Sequence, residues 1–357
     1  MIRFYIAGVS LTQLALFFYP FIFSGVFISA ISYNKKYIKY FLLAYTVGMV
    51  LNAIVVLDPS GYLRNRISLH TFQGTQYFSV IGDFGYRLTG FHAAPGVMSL
   101  FAVIGLSISM VMILTKEKRV KWIILALSSF LCGIMTANRS FIVGICILFI
   151  MLILSLLLEN GISIKKGLQF FVILILYVSA ISYAWNYTTF GKRMAYRFSQ
   201  EKLERDIATR TVGNASAIKS LQALNLNPLF GSLYIVPSSG AVLVWNGKEI
   251  IRPHNGVSKI LSTRGLVLGL PFLIFITLSI KNLCVCGFNK FLDTEDRLLA
   301  RAFFIASVTG NAVCLTDSLI ETTPMLMCIS YGFLCVKLTK KNYFKKKLCS
   351  RPFNQLQ

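Results

Sequence analysis

Charge is what this chain has least of. Only 14% of its 357 residues are Asp, Glu, Lys or Arg, against roughly a quarter in soluble domains. Acidic residues are the scarcer half, 13 against 36 Lys and Arg, and histidine occurs three times. With 55% hydrophobic residues and a mean hydropathy of +0.67, a water-soluble fold could not hide the apolar side chains. That wealth of large apolar groups also excludes a disordered chain. Cysteine is missing from both long polar segments, 58–94 and 186–255, which excludes a disulfide-held domain in either. Cys132, Cys146, Cys314, Cys328 and Cys335 fall in apolar runs, with Cys284, Cys286 and Cys349 on the side read below as cytoplasmic. They read as small hydrophobes, and Cys284-Val285-Cys286 alone is too little for a metal site.

Familiar catalytic signatures are missing as well. The chain has no phosphate-binding Gly-rich loop, no Asp-x-Asp pair and no His–carboxylate cluster, so neither a metal nor a cofactor is expected. No strained Ser turn supports Ser-His-Asp catalysis. The excess of basic residues does not point to nucleic acid, because those residues sit between apolar runs rather than on one soluble face.

The apolar runs themselves dominate. They span 4–32, 41–57, 95–115, 122–137, 141–158, 168–185, 265–280, 302–319 and 323–338, and about 20 apolar residues cross the hydrocarbon core as a helix. The first run is too long for a signal peptide's apolar core and lacks a small-residue cleavage site, so it reads as a tilted or over-long helix. The expected fold is an all-α polytopic membrane protein with about nine transmembrane helices. It forms a single membrane domain over 1–357, in which 186–255 is one large extracytoplasmic loop containing helices.

Orientation follows from Lys and Arg in the short connections. Lys35/Lys36/Lys39, Lys116/Lys118/Arg119/Lys121, Lys165/Lys166, Lys281/Lys290/Arg297/Arg301 and seven basic residues between Lys337 and Arg351 all fall on one side. That side is expected to be cytoplasmic. The segments 58–94 and 186–255 then face outward, together with the N-terminus and all three histidines.

Three features of the outer side do not fit a passive bundle. The loop 186–255 carries nine basic residues, among them Arg210 and Arg252, against four acidic ones. This is either the solvated face of an amphipathic helix around 199–224 or a site for a polyanion, since guanidinium forks match phosphate oxygens. Arg139, in Thr136-Ala137-Asn138-Arg139-Ser140, sits between two apolar runs, one of only 16 residues. A guanidinium at the membrane edge either snorkels to headgroups or meets an anionic partner as part of a functional site. His254, in Arg252-Pro253-His254-Asn255-Gly256, either structures the start of the next span or acts as a proton acceptor, its reference pKa being about 6.5. The eight outer acidic residues, Asp58, Asp83, Glu201, Glu204, Asp206, Glu249, Asp317 and Glu321, are not paired as glycoside hydrolysis requires.

Four stretches together resemble the membrane glycosyltransferases that act on undecaprenyl-diphosphate-linked glycans, the O-antigen polymerases of the Wzy type and the O-antigen ligases of the WaaL type. Arg87-Leu88-Thr89-Gly90-Phe91 followed by Pro95 is similar to that family's Arg-x-x-Gly-Phe stretch before a span. Thr136-Ala137-Asn138-Arg139-Ser140 resembles its Ser-Arg turn. Arg210, followed by Asn227-Pro228-Leu229-Phe230-Gly231, resembles the Arg and Asn-Pro-hydrophobic-Gly run of its large periplasmic loop. His254-Asn255 with Leu261, Gly265 and Gly269 resembles the His-Asn…Leu…Gly…Gly signature leading into the next helix. Where that family often carries Glu, this chain has Thr263.

The resemblance implies a metal-independent, inverting glycosyltransferase in the bacterial inner membrane, its active site facing the periplasm. A polymerase would pass a glycan from undecaprenyl diphosphate to another lipid-linked repeat unit; a ligase would pass it to lipid A-core. The polymerase is the favoured reading. His254 and Arg139 are then the expected catalytic residues, and Arg210, Arg87, Asn255 and Arg252 the expected substrate-binding ones. The implied partners are the lipid-linked oligosaccharide, membrane lipids and a chain-length regulator protein. A transporter of lipid-linked oligosaccharide is the outside alternative, disfavoured because no internal repeat is evident and the polar residues cluster at one surface rather than at mid-span.

Overall fold

A computed structural model describes residues 11–57, 78–80, 86–88, 95–115, 120–136, 138–159, 164–187, 191, 195, 198–200, 204, 224, 228–231, 242–245, 248–251, 255–316 and 321–349. Among the described residues there are nine helices: α1 Leu11–Tyr33, α2 Tyr37–Leu57, α3 Pro95–Thr115, α4 Val120–Met135, α5 Arg139–Leu158, α6 Ile164–Tyr187, α7 Gly256–Phe288, α8 Thr294–Thr316 and α9 Thr323–Cys349. Each expected apolar run falls largely within one of them. Five, α2, α3, α5, α7 and α8, are long and apolar enough to cross a membrane, and the protein is a multi-pass helical membrane protein. Helices extend beyond the apolar runs because their hydrogen-bond ladder continues into polar ends; α8 begins eight residues before its run, on a first turn bearing Glu295 and Asp296 that complements the helix dipole.

The all-α expectation describes the bundle, but the polar segments also contain strands. β1 Phe78–Val80 pairs antiparallel with β2 Tyr86–Leu88. Within the long loop, β3 Val242–Trp245 pairs antiparallel with β4 Lys248–Ile251, with Trp245 opposite Lys248. Asn246-Gly247 joins them, a dipeptide that favours the tight turn of a two-residue hairpin. The amphipathic helix expected over 199–224 lies almost wholly outside the described residues.

α3 is the centre of the bundle. Met98, Leu100, Ile104, Leu106 and Ile108 are fully buried against neighbouring helices, α8 among them. Polar groups there are satisfied locally: the Ser107 hydroxyl bonds to Val103 O and Thr309 Oγ1, and Ser99 Oγ lies 2.9 Å from Thr136 Oγ1. Helices approach closely where a side chain is minimal, as expected where packing rather than water expulsion holds helices together. A Cβ at Gly287 would lie 3.0 Å from the Arg301 backbone, and one at Gly144 would press on Val103. Outward faces are apolar: Leu43, Val47, Leu51 and Ile54 on α2, and Ile150, Ile153, Leu154 and Leu157 on α5, are exposed at helical spacing. Such stripes are untenable in water and ordinary against lipid.

Polar contacts sort the helix ends into two sets. At one end Lys35, between α1 and α2, bonds to Asp296 at 2.5 Å, and Lys39 to Glu295 at 3.2 Å. There too Glu159, after α5, meets Arg301 of α8 at 2.6 Å. The Arg301 guanidinium also donates to Gly287 O and stacks 5.0 Å over Phe288. Lys35, Lys36, Lys39, Lys290, Arg297 and Arg301, all assigned to one side from sequence, lie at this end. At the opposite end Tyr19 of α1 bonds to Thr323 of α9, the α3 start to the α4 end, and the α7 start to the α8 end.

Candidate functional site

The opposite end contains two built features. The first is the turn around Arg139. Gly133 has no side chain to collide with the Phe141 ring, so α4 and α5 can close on each other within a few residues. Thr136 Oγ1 donates to Gly133 O at 2.7 Å and accepts from Asn138 N at 3.3 Å. Asn138 Oδ1 accepts from Ser140 N at 3.2 Å and caps α5. Thr136, Asn138 and Ser140 are buried while Arg139 is half-buried as the first residue of α5. A cation there reinforces the positive helix terminus. Both charges favour an anion at this point.

The second feature is a break in α7. Gly265 has φ 65° and ψ −166° within an otherwise helical run, a conformation essentially confined to glycine. It divides α7 into a short arm, 256–264, and a long arm, 266–288. In a straight helix residues nine apart are separated by about 13.5 Å; here a Cβ on Gly269 would lie only 3.1 Å from Ile260 O. The arms therefore fold against each other, and Gly269 leaves room for the contact. Pro271, six residues into the long arm, removes the N–H that would otherwise bond to Val267 O.

A break of this kind leaves backbone donors without helical partners. Leu266 N donates to Pro228 O at 2.9 Å and Val267 N to Leu229 O at 3.0 Å. The segment 228–231 is thus seated on the break, with Gly231, at φ 63°, facing Gly265: a Cβ on Gly231 would be 2.6 Å from Gly265 N. Two of the four stretches singled out in the sequence meet here.

Asn255 opens the short arm. Its Oδ1 accepts from Val257 N at 2.9 Å and Ser258 N at 3.2 Å, and its Nδ2 donates to Leu315 O at 3.4 Å. Its side chain, expected to bind substrate, is engaged in capping the arm and tying it to α8. Arg264, at the other end of the arm, was missed by the sequence reading because it borders an apolar run. It is 1% exposed. Its Nε and Nη2 reach Glu321 Oε1 at 2.7 and 2.6 Å, and its guanidinium lies 5.2 Å from the Phe21 ring and 5.9 Å from Phe272. This ion pair joins α1, α7 and the α8–α9 turn beside the break. Buried charges survive only when paired in this way.

Arg87 lies in β2, its backbone opposite Ser79. His254, Arg210 and Arg252 lie outside the described residues, although His254 directly precedes the capped start of the arm. Among the described residues no cluster of His, Cys, Asp and Glu could hold a metal ion. The chain matches no family model, no curated protein and no solved structure.

Proposed function

We propose that the chain is an O-antigen-type polysaccharide polymerase, transferring a glycan from undecaprenyl diphosphate to a lipid-linked repeat unit at the periplasmic face of the inner membrane. All nine helices cross the bilayer, the basic end is cytoplasmic, and 186–255 is the large periplasmic loop. The observation that carries the reading is the seating of 228–231 on the Gly265 break. That contact joins two otherwise separate motif stretches, the second of which opens in the sequence at His254-Asn255.

Diphosphate is a good leaving group, so the reaction needs charge stabilisation more than a strong acid. Arg139, on the N-terminus of α5, and Arg210 take the diphosphate oxygens, with Arg87 and Arg252 adding positive charge. His254 accepts the proton of the acceptor hydroxyl. The hydroxyl oxygen bonds to the anomeric carbon as the carbon–oxygen bond to the diphosphate breaks. Undecaprenyl diphosphate departs, and the anomeric centre inverts.

Deletion of the gene in its host, followed by gel analysis of the lipopolysaccharide, tests this directly. The expected result is collapse of the ladder to core plus one repeat unit. Loss of every capped form, with polymer accumulating on undecaprenyl diphosphate, identifies a ligase instead. An unaltered glycan refutes both.

A further inference from the structure

The basic end of the bundle holds a cavity of about 660 Å³ between α2, α3, α4 and α8, far from the break in α7. Its walls are apolar, formed by Ile38, Leu42, Met112 and Leu298 among others. At its mouth stand Lys39, Leu43 and Lys121, all exposed. Glu295 also faces it and is paired with Lys39, and the Lys121 ammonium lies 4.6 Å over the Trp122 ring, so two cations and one carboxylate line the cavity. Lys116, Lys118 and Arg119 lie just before Lys121 in the chain, with Glu117 the one acidic residue among them.

Trp122 lines the same cavity and is 4% exposed. Its buried indole N–H has no hydrogen-bond acceptor among the described residues. Leaving such a donor unpaired is unfavourable. Thr46, Thr115 and Thr294 also line it, the first two donating their hydroxyls to Leu42 O and Val111 O of their own helices.

An apolar slot under a cationic rim, with a buried aromatic N–H, matches one class of molecule. We infer that this cavity binds an anionic phospholipid of the leaflet at the basic end, its phosphate held at Lys39 and Lys121 and its acyl chain lying along Leu42, Met112 and Leu298. A zwitterionic phospholipid fits the slot but gains little from the rim. Basic pockets between transmembrane helices are an established way of holding acidic headgroups. The site is separate from the glycan chemistry and does not depend on it.

The test uses the full-length protein in detergent, titrated with phosphatidylglycerol or phosphatidylcholine, with bound lipid counted by native mass spectrometry. Phosphatidylglycerol should bind the native protein with one preferred site and phosphatidylcholine should not. At about 1 kcal/mol per basic side chain, Lys39→Gln/Lys121→Gln should weaken that site about thirtyfold. Leu43→Trp, which narrows the mouth without changing charge, should weaken it as well. Lys290→Gln, at the same end but outside the cavity, should leave it intact.

Equal binding of the two lipids overturns the proposal. So does unchanged binding in the folded double variant. Loss in the double variant with full retention in Leu43→Trp also overturns it, because the lipid would then sit on the basic surface rather than in the cavity.

Discussion

Replacing Gly265 with Ala should undo the junction on which the site is built. Its φ of 65° and ψ of −166° lie where a residue with a side chain is strained by about 1–3 kcal/mol. The new Cβ would sit 2.5 Å from Gly231 N and closer still to Leu229 O. Both are backbone atoms and neither can rotate away, so 228–231 must withdraw. Withdrawal breaks the bonds from Leu266 N and Val267 N, each worth about 1 kcal/mol net. Strain at the upper end of that range, about 3 kcal/mol, with the backbone clash added to it, exceeds the roughly 2 kcal/mol that those two bonds return and lowers the docked-to-undocked ratio by about a hundredfold.

The assay is maleimide labelling of Phe230→Cys in permeabilised cells, with and without Gly265→Ala, alongside the polymer ladder. Labelling should quicken and the ladder should be lost. Gly48→Ala serves as the comparison, because nothing lies within 4 Å of its added Cβ; it should change neither readout. If Gly265→Ala labels slowly and polymerises normally, the break is not what holds the loop.

Four further outcomes are expected. Arg139→Lys and Arg139→Ala should both abolish polymer while the protein still reaches the membrane, since a planar fork is not replaced by a point charge; normal polymer from Arg139→Ala would return the residue to snorkelling. His254→Gln should lose about 10²–10⁴-fold of activity with donor binding retained; normal turnover by His254→Gln would leave it an orienting role only. Arg264→Met should cost about 3–5 kcal/mol by stranding Glu321, lowering the detergent melting temperature, and Arg264→Met/Glu321→Gln should recover much of the loss; a native melting temperature in the single variant would contradict the pairing. A cysteine at Ser238 should react with an impermeant maleimide in permeabilised cells and one at Ser163 should not; the reverse pattern overturns the orientation.

Helix positions were legible because each depends on a local property, apolar side chains over a continuous stretch. The run 95–115 matches α3 residue for residue, as its ends are marked by Pro95 and the charged Lys116. α7 was misjudged in length because its first arm is polar and its break needs no loop: Gly265 alone reverses the chain, and its partner Gly231 lies 34 residues earlier. The Asn246-Gly247 turn was readable but passed over among stronger signals. Pairing was not readable. Arg264 and Glu321 are 57 residues apart, and Lys35 and Asp296 are 261 apart; only the packing of α1, α7, α8 and α9 brings them together. Asn255 was expected to bind substrate; the structure shows its side chain capping the short arm and bonding to α8.

The most direct measurement is reconstitution. Purified protein in liposomes, given the host's undecaprenyl-diphosphate-linked repeat unit in the presence of EDTA, should form glycans of increasing length on undecaprenyl diphosphate, releasing one undecaprenyl diphosphate per linkage. Arg139→Ala and His254→Ala should not. Absence of elongation by folded native protein, or elongation unaffected by both substitutions, would contradict the assignment of this chain as the polymerase.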